Sequence, residues 1–191
     1  MDTAPGPRER NWDAYAAVIA SLIGLLALAV SGYTAYLQRQ QTSAQVWPRL
    51  QIATSNLNLK TMVANQGVGP AKITGMRVAI DGKPVKQWYD VVVAFGDQTD
   101  GTTAGFSFTS LNGTVLPPGV TAEVFLPVDN DPSRKMYENY LAQKKHSFQM
   151  SVCYCSVLDE CWIADTSAKT RADLNRPAQT CPIPESEQFD D

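Results

Sequence analysis

The sequence predicts a mainly β domain, a β-sandwich with one short helix, carried on a single N-terminal transmembrane helix. Three observations predict it. No charged residue stands between Asp13 and Arg39, and most of what lies between is apolar. From Arg49 onward the apolar pattern changes from a helical period to alternation. Turn signals then recur about every 8–12 residues, the spacing of short strands in a sandwich.

The apolar stretch comes first in the chain. About 25 residues at roughly 1.5 Å each make a helix of ~37 Å, enough to cross a hydrocarbon layer of about 30 Å. Trp12 and Tyr15 at one end and Tyr33 and Tyr36 at the other suit the two interfaces. Ala27-Leu28-Ala29 offers a signal-cleavage pattern, yet the apolar run continues through Val30, Tyr33, Ala35, Tyr36 and Leu37. That favours an uncleaved signal-anchor over a signal peptide. The expected organisation is a disordered N-terminus over 1–12, a transmembrane helix over 13–38, a linker over 39–48, a β-sandwich domain over 49–166 and an irregular acidic tail over 167–191.

Within the helix, Ala20, Gly24, Ala27, Ser31 and Ala35 share one face, while Val18, Leu22, Leu25 and Leu26 lie elsewhere. A stripe of small residues lets helix backbones approach closely, which is how helices associate in lipid. The expected partners are therefore the bilayer itself and, through this face, a second copy or another membrane protein. The bland alternative is that alanine and glycine are common in membrane helices.

Charge narrows the partners further. Arg8, Arg10 and Arg39 balance Asp2, Glu9 and Asp13, so the soluble part carries the whole net charge of −3. An acidic domain is ill suited to nucleic-acid phosphate or an anionic lipid surface, and no nucleic-acid partner is expected. Arginines flank the helix on both sides, so the positive-inside comparison is nearly a draw. The four cysteines, Cys153, Cys155, Cys161 and Cys181, form an even, clustered set that suits an oxidising compartment. The expectation is a bacterial inner-membrane protein with a periplasmic C-terminal domain.

Along the domain, Pro48 ends the helix, and Leu50, Ile52 and Thr54 alternate with polar neighbours, as do Leu57, Leu59, Thr61 and Val63. Asn65 to Pro70 is a turn or bulge signal, with glycine supplying positive φ. Ile73, Gly75, Val78 and Ile80 lead to Asp81-Gly82, a primed hairpin turn. Asp90 to Phe95 is expected as a buried strand, with Trp88 and Tyr89 before it either core or an exposed patch. Phe106 and Phe108 lead to a second hairpin at Asn112-Gly113, and Val120, Ala122, Val124 and Leu126 form another strand after the Pro117-Pro118-Gly119 break. The helical exception starts at Asp131 as N-cap with Pro132 first in the helix. Met136, Tyr137, Tyr140 and Leu141 form its apolar stripe, and Lys144 and Lys145 suit its negative end. Phe148 to Ser156 and Cys161 to Ala164 complete a terminal hairpin.

Val63 to Val85 (VANQGVGPAKITGMRVAIDGKPV) resembles the immunoglobulin-like accessory modules of bacterial envelope proteins, which show a strand, an Asn-x-Gly turn and an Asp-Gly hairpin. The resemblance covers this stretch alone. It implies an immunoglobulin-like β-sandwich with a binding or spacer role rather than catalysis. The helix near residue 132 departs from the simplest such module.

No catalytic, cofactor-binding or metal-ligating residue is identified. A hairpin centred on Leu158 places Cys155 opposite Cys161, where a cross-strand disulfide is possible, and Cys153 on the same face could take Cys181. Four cysteines allow three connectivities, and free buried thiols or a metal site stand as alternatives. A zinc site lacks the usual paired spacing, and a redox site lacks C-x-x-C at a helix start. His146 is the lone histidine, at a helix-to-strand junction with no carboxylate near it in sequence. The acidic pairs Asp129/Asp131 and Asp159/Glu160 read as turn and cap residues.

The leading expectation is an accessory or interaction subunit of an envelope membrane complex, not an enzyme. Its rivals are a cytoplasmic-facing ligand sensor coupled to the helix and a thiol-dependent or metal-binding envelope protein.

Overall fold

The computed structural model describes residues 12–96, 104–143 and 146–190, so residues 1–11 of the stretch expected as disordered and the Lys144/Lys145 pair lie outside the described residues, while Trp12, expected in that stretch, opens the first helix. Two compact units divide near Ala44. The first is helix α1, Trp12–Gln45, with no buried residue. It is long and apolar enough to cross a membrane. The segment expected as a linker from residue 39 continues the helix through Gln45, because nothing before Pro48 breaks it. The helix hydroxyls are satisfied internally, as short side-chain donors can be. Ser31 Oγ donates to the Ala27 carbonyl at 2.7 Å and Thr34 Oγ1 to the Val30 carbonyl at 2.9 Å.

The second unit is sheet-rich, with two antiparallel sheets. One runs β1 (Leu50–Ser55), β2 (Lys60–Asn65), β7 (Thr121–Pro127), β5 (Phe106–Phe108). The other runs β10 (Asn175–Ala178), β9 (Cys161–Asp165), β8 (Phe148–Cys155), β3 (Ala71–Ile80), β4 (Lys83–Val85), with β6 (Val115–Leu116) also on β3. Residues of both sheets and of helices α2 (Trp88–Phe95) and α3 (Asp131–Ala142) fall in one hydrophobic cluster. On one face of the β3–β8 pair, Ile73 meets Tyr154, Met76 meets Val152, Val78 meets Met150 and Ile80 meets Phe148. Period-2 alternation delivers these large side chains to one side.

Asp81-Gly82 makes the expected primed turn, with φ of 54° and 78° at the two positions. Positive φ at both central residues is what that turn type requires, and Ile80 pairs with Lys83 across it. The terminal hairpin forms in the expected register, Tyr154 opposite Trp162 and Cys155 opposite Cys161.

Several expectations are corrected. Asp90 to Phe95 is helical rather than a strand. Trp88, Val91, Val92 and Phe95 recur at helical spacing and are all buried. At the helix start the Asp90 carboxylate accepts the Gln87 amide at 3.3 Å. Packing of that stripe outweighs the weak helix propensity of three consecutive valines. Trp88 stacks on Phe125 at 4.7 Å, while Tyr89 is exposed. Leu57 and Leu59 sit in the β1–β2 turn, where Ser55 Oγ accepts the Asn58 amide at 3.3 Å. Turn chemistry there overrides the alternation. Asn112-Gly113 turns, with Gly113 at φ 71°, but β5 and β6 on its two sides belong to different sheets. The cap of α3 is Asn130, whose Oδ1 accepts the Ser133 amide at 2.9 Å, one residue before Asp131.

Residues 167–191 are not simply an irregular tail. β10 extends the larger sheet by pairing along its whole length with β9. Beyond it the chain crosses the other face of that sheet: a Cβ on Gly75 would lie 3.7 Å from Cys181 Sγ and 3.8 Å from Ile183. Arg77 pairs with Glu187 at 2.6 Å and Lys86 with Asp190 at 3.6 Å. The Phe189 amide donates to the Met76 carbonyl at 2.8 Å, and its ring is fully buried edge-on to Trp88 at 5.1 Å.

Phe189→Ala therefore empties a core position from the far end of the chain. We expect it to cost about 3–5 kcal/mol in denaturant unfolding of the detergent-solubilised protein. Phe108→Ala, at a ring 47% exposed, should cost far less; equal effects would contradict the buried role of Phe189.

Candidate functional site

The cysteines are resolved first. Cys155 and Cys161 face each other across the β8–β9 pair with Cα atoms 4.0 Å apart and are bonded; Cys153 and Cys181, with Cα atoms 5.8 Å apart, form the second bond. Of three possible connectivities this one links two positions of a single strand, one to its hairpin partner and one to the C-terminal segment. All four thiols are taken. Among the described residues no group of three or more His, Cys, Asp or Glu is placed to hold a metal ion.

His146 has a carboxylate neighbour after all, from a part of the chain remote in sequence. Its Nδ1 lies 2.6 Å from Asp81 Oδ2, and Asp81 Oδ1 accepts the Ser147 amide at 2.8 Å. Hydrogen bonding from His146 and Ser147 holds the Asp81 carboxyl below its ordinary range. The cluster clips the β3–β4 turn to the start of β8. Asp129 pairs with Arg134 at 2.6 Å, and Asp159, at φ 58° in the β8–β9 turn, pairs with Lys72 at 2.8 Å.

On α1, Ala20, Gly24, Ala27, Ser31 and Ala35 are all exposed. A Cβ on Gly24 would meet nothing within 4 Å. Ser31 spends its hydroxyl within the helix, so the stripe offers close backbone approach rather than a hydrogen bond.

The site absent from the sequence reading is a cleft of about 570 Å³ where the edge of one sheet meets the edge of the other. One wall is the start of β1, Arg49 to Ile52; the other is Ala164, Asp165 and Thr166 with Leu174 and Asn175 at the start of β10. The volume is in the range of ligand sites.

Two local structures shape it. Asn65 is buried and fully used: Nδ2 donates to the Gly69 carbonyl at 2.8 Å and the Leu116 carbonyl at 2.9 Å, while Oδ1 accepts the Gly67 amide at 3.0 Å and the Arg49 amide at 3.2 Å. A Cβ on Gly67 would overlap the Arg49 backbone nitrogen, and one on Gly69 the Val46 carbonyl. These glycines serve backbone contact, not the positive φ expected of them; neither has one. At the other wall, buried Tyr154 donates to Asn175 Oδ1 at 2.6 Å. Burial pushes its hydroxyl up to about 12, against the pull of the Leu50 backbone and the Arg49 cation.

Nothing in the composition of these segments announced a cleft. A signal existed in Asn65-Gln66-Gly67, but it reads as a turn until the chain it clamps is known. Protein-family models, curated proteins and solved structures were compared with the chain, and none matches it.

Because the folded Tyr154 pKa lies above the unfolded value of about 10, its contribution to stability is complete below that value and is lost as pH rises toward about 12. Tyr154→Phe should therefore flatten the alkaline loss of stability by up to about 1.4 kcal/mol per pH unit in that window. Urea unfolding across it checks this; an unchanged slope would place the titrating group elsewhere.

Proposed function

We propose that this chain is a single-pass inner-membrane protein of the bacterial envelope. Its β-rich domain stands in the periplasm and acts as an interaction subunit of a membrane complex. An immunoglobulin-like accessory module is the nearest description of that domain.

The observation that carries the reading is a long apolar helix followed by a domain in which every cysteine is oxidised. Disulfides of this kind persist outside the cytosol, which supports a domain on the outer side of the membrane. The helix contributes a stripe of small residues suited to another helix, a second copy or a different membrane protein. His146 Nδ1 is held by Asp81, and the cysteines are bonded to each other.

Two measurements test the reading separately. In intact cells, an impermeant maleimide should label the protein only after reductant is added from the periplasmic side. Thiols that are reduced yet inaccessible from that side would instead favour a cytoplasmic-facing sensor. The paired substitution Gly24→Leu and Ala27→Leu should remove co-purifying helices or copies from the detergent eluate while the domain's unfolding midpoint stays unchanged. Undiminished co-purification would refute the small-residue face as the contact.

A further inference from the structure

The chain enters the sheet-rich unit at one end, and the loops of that end are gathered by Asn65. The Asn65 amide donates to the Val120 carbonyl at 2.9 Å, and its side chain holds the Gly69 and Leu116 carbonyls. The Val68 amide donates to the Trp47 carbonyl at 3.0 Å. Segments 46–49, 66–70 and 115–120 therefore meet where β1 and β3 begin. The β8–β9 turn joins them, because Lys72 pairs with Cys155 at the end of β8 and its ammonium holds Asp159 at 2.8 Å.

All four segments expose large apolar side chains. Trp47, Val68, Val115, Val120, Val157 and Leu158 make up half of those that the described part of the unit exposes. Singly such residues are ordinary; collected at one end they mark a contact surface. Val68 is the clearest case. Gly67 and Gly69 press their loop onto Val46 to Arg49, and Val68 between them is 63% exposed, with no core to fill. Charge at this end cancels, Arg49 and Lys72 standing against Asp159 and Glu160, although the unit as a whole is acidic. The leash to the membrane is short. Trp47 stands two residues after Gln45, where α1 ends. From Leu37, the last large apolar residue of α1, the helix rises about 12 Å to Gln45, and two extended residues add at most about 7 Å.

We propose that the end of the domain carrying Trp47, Val68, Val120 and Leu158 rests on the phospholipid bilayer that holds α1, with these side chains at the boundary between headgroups and acyl chains. Tryptophan is favoured at that boundary, and valine and leucine gain by leaving water. Because the charges of this end cancel, the contact needs no anionic lipid, and the acidic balance of the domain does not oppose it. The inference rests on the reading of α1 as a membrane anchor and adds a second membrane contact, made by the domain itself.

The test uses the full chain in nanodiscs of phosphatidylcholine alone. Leu25, Leu57, Val68 and Leu158 are replaced one at a time by a photoreactive, diazirine-bearing apolar amino acid. Leu25 lies within the apolar run of α1. Leu57 is 86% exposed but sits in the β1–β2 turn, at the opposite end of those strands. After illumination, mass spectrometry should find lipid adducts at Leu25, Val68 and Leu158, and roughly fivefold fewer at Leu57, in high salt as in low. Adding Val120→Ser and Leu158→Ser, both at exposed positions, should cut the adducts at Val68 at least threefold. Adducts at Leu25 with no excess at Val68 and Leu158 over Leu57 would overturn the proposal and leave the anchor standing. Adducts at Val68 that ignore the serine substitutions would also overturn it, since tethering alone would then explain them. No adducts at Leu25 would overturn the anchor reading and the proposal with it.

Discussion

The residues of β3 need hydrogen-bond partners along both edges, and only one edge has a strand of matching length. β8 covers that edge from Lys72 to Ile80. The other is assembled in pieces. β6 pairs with Ala71 and Lys72, Thr114 and Gly113 exchange bonds with Ile73, Phe189 takes the Met76 carbonyl, and β4 takes Val78 to Ile80. A buried edge with a missing piece would leave backbone groups unpaired, at a cost of about 1–3 kcal/mol each. The C-terminal segment is thus structural: its backbone bond at Phe189 closes the sheet, and the Phe189 ring closes the core beneath Trp88.

That arrangement depends on where the segment is held. The Cys153–Cys181 bond fixes it shortly before Phe189, directly over Gly75, where a larger residue would meet Sγ and Ile183. The two bonds close loops of very different length, with sequence separations of 28 and 6. In the chain-entropy picture the longer closure is worth about 3.6 kcal/mol and the shorter about 2.2 kcal/mol. The larger contribution belongs to the bond that positions Phe189. An oxidising compartment therefore bears on the completeness of the core, not only on a surface staple.

Local chemistry was readable from the sequence wherever partners lie close in the chain. Asp81-Gly82, the β8–β9 hairpin and the apolar helix follow from turn residues and periodicity that need no distant contact. Long-range decisions were not readable. Val91 to Val93 look like strand by propensity, and only packing of Trp88, Val92 and Phe95 against the core makes them helix. Asn112-Gly113 announces a turn but not that its flanks enter different sheets. Phe189 is one aromatic among acidic residues, with no pattern around it to mark a core position. The cleft is the extreme case, because it is made by Arg49 to Ile52 and Ala164 to Asn175, segments far apart in the chain that share no motif.

The β3 edge away from β8 and the outer edge of β1 consequently have opposite characters. At β3 the Ile73 peptide groups, the Met76 carbonyl and Val78 to Ile80 are taken by the chain itself. At β1 the ladder to β2 is complete without the outward groups of Ile52 and Thr54, and Asn65 anchors the start of the strand through its hydrogen bonds. A disulfide-closed sheet and an edge strand buttressed by Asn65 thus coexist in one small domain.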